Sequence, residues 1–141
     1  YIDKSGERKR PTMLHRAIFG SIERFIGILI EHYGGAFPLW LAPVQVKLIP
    51  VNNDYHLEYV NKVNDLLVKA NIRVEIDTRE EKLGYKIREA QTKKIPYQLV
   101  IGDKEVNENN LTIRKYGSKN TFTKKVDEFI DDLENQIKGL Y

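Results

Sequence analysis

Three side chains near the amino end of the chain, His15, Ser21 and Arg24, are of types that bind metals, cap helices and bind anions. Mostly apolar residues surround the histidine over 13–19, and apolar residues recur at helical spacing over 22–33. A serine at the start of a helix can accept a hydrogen bond from a free backbone N–H group. The pattern therefore predicts a strand, a tight turn and a helix capped by Ser21.

Arg24 falls in the first turn of that helix, on the side away from its apolar stripe. The helix dipole favours anions at this end, so a cation there is unfavourable unless an anion shares the site. A solvated arginine on an exposed face is the alternative. The residues alone leave both interpretations open.

His15 is a candidate metal ligand, although a lone histidine among apolar residues is usually structural because a zinc site needs three or four ligands. The chain has no cysteine, which excludes disulfides and thiolate metal sites within it and fits a reducing compartment. No apolar run approaches the roughly 18 residues of a membrane span or resembles an export signal. We therefore expect a cytoplasmic protein without membrane contact.

The basic residues are unevenly distributed. Residues 82–125 contain eleven Lys and Arg against four Asp and Glu, whereas residues 126–141 contain one against five. Lysines and arginines that neutralise phosphates release counterions and drive nucleic-acid binding. The middle segment is therefore a candidate phosphate-facing surface, with a merely solvated basic face as the alternative.

The remaining pattern indicates an α/β domain. The predicted strands are 44–49, 72–77, 97–101, 104–106 and 111–116, and the predicted helices are 57–70, 85–93 and 122–137. Alternating strands and helices predict right-handed crossovers and a mostly parallel sheet, to which the last two strands add an antiparallel hairpin. The expected architecture has three layers around a five-stranded mixed sheet.

Residues 1–36 are predicted to be a piece of a larger fold, because one strand and one helix cannot enclose a core. Pro38 and Pro43 bracket a segment predicted to be an extended linker. The predicted division is therefore a fragment over 1–36 and a complete domain over 37–141.

The segment 10–27 resembles motif 3 of class II aminoacyl-tRNA synthetases, in the form found in threonyl-tRNA synthetases. It keeps Gly20 and the Glu-Arg pair at 23–24, while two positions carry alanine and serine where many class members have glycine. Residues 37–46 resemble the entry to the anticodon-binding domain of the same family, and the similarity continues to the end of the chain.

The resemblance implies the C-terminal part of an enzyme that activates threonine with ATP and magnesium, transfers it to tRNA(Thr), and is a homodimer. Residues 1–36 would belong to the class II catalytic domain and 37–141 would be the anticodon-binding domain. Arg24 would be a catalytic residue that contacts the ATP phosphates, and Ser21 would lie beside the substrate. His15 would be one of three protein ligands to zinc, with the other two outside this chain.

The resemblance also assigns anticodon-binding roles to Glu105, Arg114, Lys94 and Glu80. A carboxylate can accept from the N–H groups of guanine, and a guanidinium can donate to carbonyl oxygens of a base. Glu105 and Arg114 are expected to face each other across the predicted hairpin, where a cross-strand ion pair is the alternative to base recognition. Many family members have arginine and asparagine at the positions of Lys94 and Glu80.

Two other functions remain possible from the residues alone. A stand-alone α/β module that binds RNA without catalysis would share the predicted domain, but it would leave the segment around His15 and Arg24 unexplained. A nucleotide-binding α/β enzyme is disfavoured, because no glycine-rich phosphate loop follows the predicted strands at 44–49 and 72–77.

Overall fold

The structure, a computed structural model, describes residues 1–139, and these contain a five-stranded sheet. In chain order the elements are α1 (Ile22–Tyr33), β1 (Val46–Pro50), α2 (Asn53–Lys69), β2 (Val74–Ile76), α3 (Leu83–Thr92), β3 (Tyr97–Ile101), α4 (Asp103–Glu108), β4 (Asn110–Lys115), β5 (Thr121–Lys125) and α5 (Val126–Lys138). The predicted α/β class is confirmed.

The sheet has the strand order β2-β1-β3-β4-β5. β1 pairs in parallel with both β2 and β3, and β4 pairs antiparallel with β3 and β5. Helices α2 and α3 are the crossovers between the parallel strands, as predicted. The mixed five-stranded sheet is confirmed, although one of its strands is not where the sequence pattern placed it.

Successive residues of a strand point to opposite faces of the sheet, and the two faces here differ in chemistry. One face, which includes Val46 and Leu48, packs against α2 and α5 in the main apolar core. The opposite face carries Lys47 on β1 and is covered there by α3, whose Lys86 Nζ donates to the carbonyl of Asp77. Helices α2 and α5 on one face, the sheet itself, and α3 on the other face form the three predicted layers.

The predicted hairpin between 104–106 and 111–116 is wrong. Residues 103–108 form the short helix α4, because the Glu105 side chain turns back to accept a hydrogen bond from the Gly102 N–H group. The hairpin partner of β4 is β5, at Thr121–Lys125, a segment that the sequence pattern assigned to the closing helix. Gly117, with φ +76°, lies in the connecting turn, a backbone conformation that glycine adopts readily.

The predicted strand over 13–19 is also wrong, whereas the helix after it is confirmed. Ser21 Oγ accepts from the Arg24 backbone N–H group, and Gly34 closes α1 in the left-handed conformation at φ 55°. A strand needs a partner for its backbone groups, and no strand of the described residues lies beside 13–19. No residue of α1 is buried.

The segment between α1 and β1 is not the extended linker that its prolines suggest. Leu39 and Ala42 are buried, and the Leu41 and Ala42 N–H groups both donate to the Pro38 carbonyl in a tight turn. The division between residues 36 and 37 remains a prediction. No helix among residues 1–139 is long and apolar enough to span a membrane.

Candidate nucleic-acid interface

Glu105 is held by two hydrogen bonds at the carboxyl end of β3. Its Oε2 accepts from the Gly102 N–H group at 2.9 Å, and its Oε1 accepts from the Thr112 hydroxyl at 2.7 Å. The residue is 9% exposed. Each carboxylate oxygen retains a second lone pair, so the group is oriented by the protein and still able to accept from a ligand.

Arg114 lies on β4 between Gln98 of β3 and Thr121 of β5. Its Nε atom is buried and has no hydrogen-bond partner among the described residues, and both amide atoms of the fully buried Gln98 share this property. Buried polar groups are normally hydrogen-bonded, so this part of the sheet has unused hydrogen-bonding capacity.

Glu105 and Arg114 do not face each other across a hairpin, because Glu105 lies on α4. The expected alternative, a cross-strand ion pair, does not form within residues 1–139, since the carboxylate is taken up by Gly102 and Thr112. Thr112 links Glu105 to Arg114. It donates to Glu105, and it precedes Arg114 by two residues on β4, so both side chains point to the same face of the sheet. Thr112 and Gln98 were not identified from the sequence, where neutral polar residues in a strand give no distinctive signal.

Glu80 lies exposed in the turn between β2 and α3. It lines a surface pocket at the carboxyl ends of β1 and β2 together with Asn52, Asn53, Arg79 and Lys86. Ligands of open parallel sheets bind at such carboxyl ends. Glu80 and Glu105 therefore lie at the same end of the sheet.

Lys94 lies elsewhere. It has a left-handed backbone conformation, φ 56°, just before β3, and its ammonium group donates to the Gly34 carbonyl at the end of α1. This position is at the amino end of β3, whereas Glu105 follows the carboxyl end. The structure therefore separates Lys94 from Glu80 and Glu105, whereas Arg114 pairs with Gln98 in the first half of β3.

A network of charges fixes the loop that carries Glu80. Lys47 Nζ, on a side chain only 1% exposed, lies 2.8 Å from Glu75 Oε1 and 3.2 Å from Asp77 Oδ2. Asp77 also accepts from Arg79 Nη2 at 2.7 Å, and Arg79 pairs with Glu89 of α3. The Arg79 guanidinium, followed by the Lys47 ammonium, holds the pKa of the Asp77 carboxyl well below its usual range.

The three motif residues at the amino end are exposed. Ser21 caps α1, Arg24 lies in its first turn, and His15 Nε2 is 3.0 Å from Met13 Sδ. Within residues 1–139 no group of three or more His, Cys, Asp or Glu side chains could hold a metal ion. The described residues therefore do not fit a complete zinc site, and His15 supplies at most one ligand.

Comparison with known families identifies the domain. Residues 45–136 match the family described as the anticodon binding domain, a range that runs from the residue before β1 into α5. The chain belongs to this family. The match includes the whole sheet and the region of Glu80, Glu105 and Arg114, and it lies within the predicted domain over 37–141.

Comparison with full-length relatives extends the similarity beyond this domain to nearly the whole chain. The threonine–tRNA ligase of Lacticaseibacillus paracasei is 54% identical over 139 residues, covering 99% of this chain and 21% of the relative. The threonine–tRNA ligase of Listeria monocytogenes serotype 4a is 57% identical over 137 residues, covering 97% and 21%. The chain thus spans about a fifth of the length of the curated relatives it matches.

A solved structure supports the same relationship. The RNA binding domain of threonyl-tRNA synthetase from Cryptosporidium parvum superimposes with a TM-score of 0.77 at 31% identity, covering 86% of this chain and 30% of that one. The predicted resemblance to threonyl-tRNA synthetases is confirmed by these comparisons.

We predict that Asp77→Asn destabilises the anticodon-binding domain by about 3 kcal/mol, because it removes a carboxylate from a buried charge network. Since the folded pKa of Asp77 lies below its unfolded value of about 3.9, its contribution is complete above that pH and is lost as the pH falls towards the folded pKa. Urea unfolding of the chain between about pH 6 and about pH 2.5 measures both effects.

The matched control is Asp65→Asn, which alters an exposed carboxylate on α2. It should leave the free energy of unfolding within about 0.5 kcal/mol of the original value. An Asp77→Asn variant that is as stable as this control, or that loses stability below pH 4 as steeply as the unchanged chain, would show that the network does not stabilise the domain.

Proposed function

We propose that the chain is part of a threonine–tRNA ligase, in which residues 37–141 bind and read the anticodon of tRNA(Thr) and residues 1–36 belong to the catalytic domain. The observation that carries this proposal is identity above 50% to threonine–tRNA ligases over nearly the whole chain. The complete enzyme would use ATP and magnesium to activate threonine and would transfer it to tRNA as a cytoplasmic homodimer.

The polar side of the sheet supports anticodon reading. Threonine anticodons end in guanine then uridine, and unpaired bases are read on their Watson–Crick edges. Glu105, already oriented by Gly102 and Thr112, would accept from the N–H groups of guanine. Arg114, whose side chain is only partly buried, would donate from its guanidinium to base carbonyl oxygens. Glu80 would contribute from the neighbouring loop.

Lys94 fits a different role. Its ammonium group donates to the Gly34 carbonyl, just after the end of α1, where the chain leads on to the sheet. A contact with an anticodon base would require this bond to break. We propose that Lys94 mainly supports the connection to α1.

The exposed apolar residues of the amino-terminal segment favour a larger fold over a stand-alone RNA-binding module. Large exposed apolar patches on a soluble domain mark interaction surfaces. The exposed residues here are Met13, Leu14, Ile18, Phe19, Ile22, Ile26, Ile28 and Ile30. We propose that they pack against the rest of the catalytic domain.

Arg24 and Ser21 would then complete a catalytic site. Arg24 is exposed at the start of α1, where the helix dipole and a fixed planar cation together favour bound phosphate. It would stabilise the charge that develops on pyrophosphate as the adenylate forms, and Ser21 would lie beside the substrate. His15 would be one ligand to zinc, a metal that can bind the amino and hydroxyl groups of threonine.

We predict that Arg114→Gln reduces the preference of the chain for the threonine anticodon by about tenfold, because one base contact contributes roughly 1–3 kcal/mol of discrimination. Affinities would be measured for an anticodon stem-loop of tRNA(Thr) and for a version with its last two anticodon bases changed, at one stated salt concentration.

Lys69→Gln is the control for charge, since Lys69 is exposed at the end of α2, on the other face of the sheet. It should weaken the binding of both stem-loops equally and leave the ratio of their affinities unchanged. An unchanged ratio in Arg114→Gln would remove this residue from anticodon recognition.

In the complete enzyme, we predict that Arg24→Ala lowers threonine-dependent exchange of pyrophosphate into ATP by at least about 100-fold, because it removes a cation from the developing negative charge. Lys69→Ala, which removes a cation remote from this segment, should retain normal exchange. Near-normal exchange by Arg24→Ala would exclude Arg24 from the activation step.

A further inference from the structure

The segment between α1 and the sheet is held by an arginine that is not part of the predicted sites. Arg73 lies just before β2, and its Nε donates to the Ala42 carbonyl at 2.9 Å while its Nη2 donates to the Trp40 carbonyl at 2.8 Å. Two N–H groups of one guanidinium thus bind two carbonyls of the same turn. Such a fork is rigid, and the flexible single ammonium of lysine does not reproduce it.

Gln45 also binds the same segment. This residue is 1% exposed, its Nε2 donates to the Leu39 carbonyl at 2.8 Å, and its Oε1 accepts from the Arg73 backbone N–H group at 2.8 Å. The backbones also meet, since the Gln45 N–H group donates to the Arg73 carbonyl. We call Gln45 and Arg73 the clasp.

The end of α1 leads directly into the turn that the clasp binds. Gly34 and Gly35 close the helix through hydrogen bonds to its last turn, and the rings of Tyr33 and Phe37 pack edge to face with centroids 5.9 Å apart. Lys94 adds a contact from the sheet side by donating to the Gly34 carbonyl. The end of α1 is therefore connected to the sheet by a continuous series of contacts.

We propose that the clasp fixes the orientation of α1 relative to the anticodon-binding sheet, so that Gln45 and Arg73 are positioning residues for aminoacylation. Three carbonyls of one short turn are bound by side chains of the domain, an arrangement that a freely moving linker would not have. The consequence for catalysis rests on the proposed function, because it assumes that α1 belongs to the catalytic domain. A fixed orientation would keep the acceptor end of a tRNA, bound through its anticodon, in reach of the active site.

The geometric part can be tested on the chain itself. The chain contains no cysteine, so Glu31→Cys on α1 and Asn61→Cys on α2 introduce two unique spin-label sites at exposed positions. Pulsed electron spin resonance should give one narrow distance distribution in this labelled chain. Adding Arg73→Lys, which keeps the charge but loses the fork, should broaden it at least about twofold.

Arg88→Lys, at an exposed position on α3, is the matched control and should leave the distribution narrow. Circular dichroism of each variant checks that the sheet is folded, and a Gln45→Glu variant, which loses the amide donor to Leu39, provides a second test of the clasp. A folded Arg73→Lys chain whose distribution is as narrow as that of the control would overturn the proposal.

The catalytic part can be tested in the complete enzyme. Arg73→Lys should lower kcat for tRNA aminoacylation about tenfold while leaving pyrophosphate exchange and the Kd for tRNA unchanged, a separation that general destabilisation would not produce. Equal loss in all three measurements, or no loss in aminoacylation, would contradict a positioning role. An unaltered enzyme that fails to aminoacylate tRNA would instead contradict the proposed function, and the spin-label distances would still test the clasp.

Discussion

The buried ammonium of Lys47 is the constraint on which this domain depends. A charge that is almost fully removed from water is tolerated only where opposite charges and hydrogen bonds compensate it, here Glu75 and Asp77. Glu75 is the register partner of Lys47 across β1 and β2, so a slip of one residue would leave the charge unpaired and turn every side chain of β2 to the wrong face. Through Asp77 and Arg79 the same network binds α3 and fixes the loop that presents Glu80.

Successive side chains along each strand point to opposite faces of the sheet, so one face is buried in an apolar core and the other carries polar groups. Val46, Leu48 and their neighbours pack against α2 and α5, and the burial of this apolar surface stabilises the domain. On the opposite face Thr112 and Arg114 occupy alternate positions of β4, and Thr112 orients Glu105. A rigid sheet thus holds candidate base-reading groups, with little freedom to lose when a ligand binds.

The sequence pattern was informative where one local signal dominates. The apolar, β-branched runs of β1 and β3 and the helical spacing of α1 predicted those elements, and motif residues rather than periodicity indicated the synthetase family. It failed where one specific hydrogen bond or strand pairing decides. α4 forms because Glu105 bonds back to Gly102, β5 because β4 is available to pair with it, and the turn before β1 because Arg73 reaches it from 31 residues away. None of these contacts leaves a periodic signal.

If the polar face around Arg114 reads anticodon bases, as we propose, the side-chain Nε–H group of Arg114 should respond directly to those bases. This group is buried without a partner among the described residues. Nuclear magnetic resonance of the selectively ¹⁵N-arginine-labelled chain, titrated with a tRNA(Thr) anticodon stem-loop, should show a large shift of the Arg114 Nε–H resonance. A stem-loop with its last two anticodon bases changed should cause a much smaller shift. Equal shifts with both stem-loops, or none with either, would contradict a role of Arg114 in anticodon recognition.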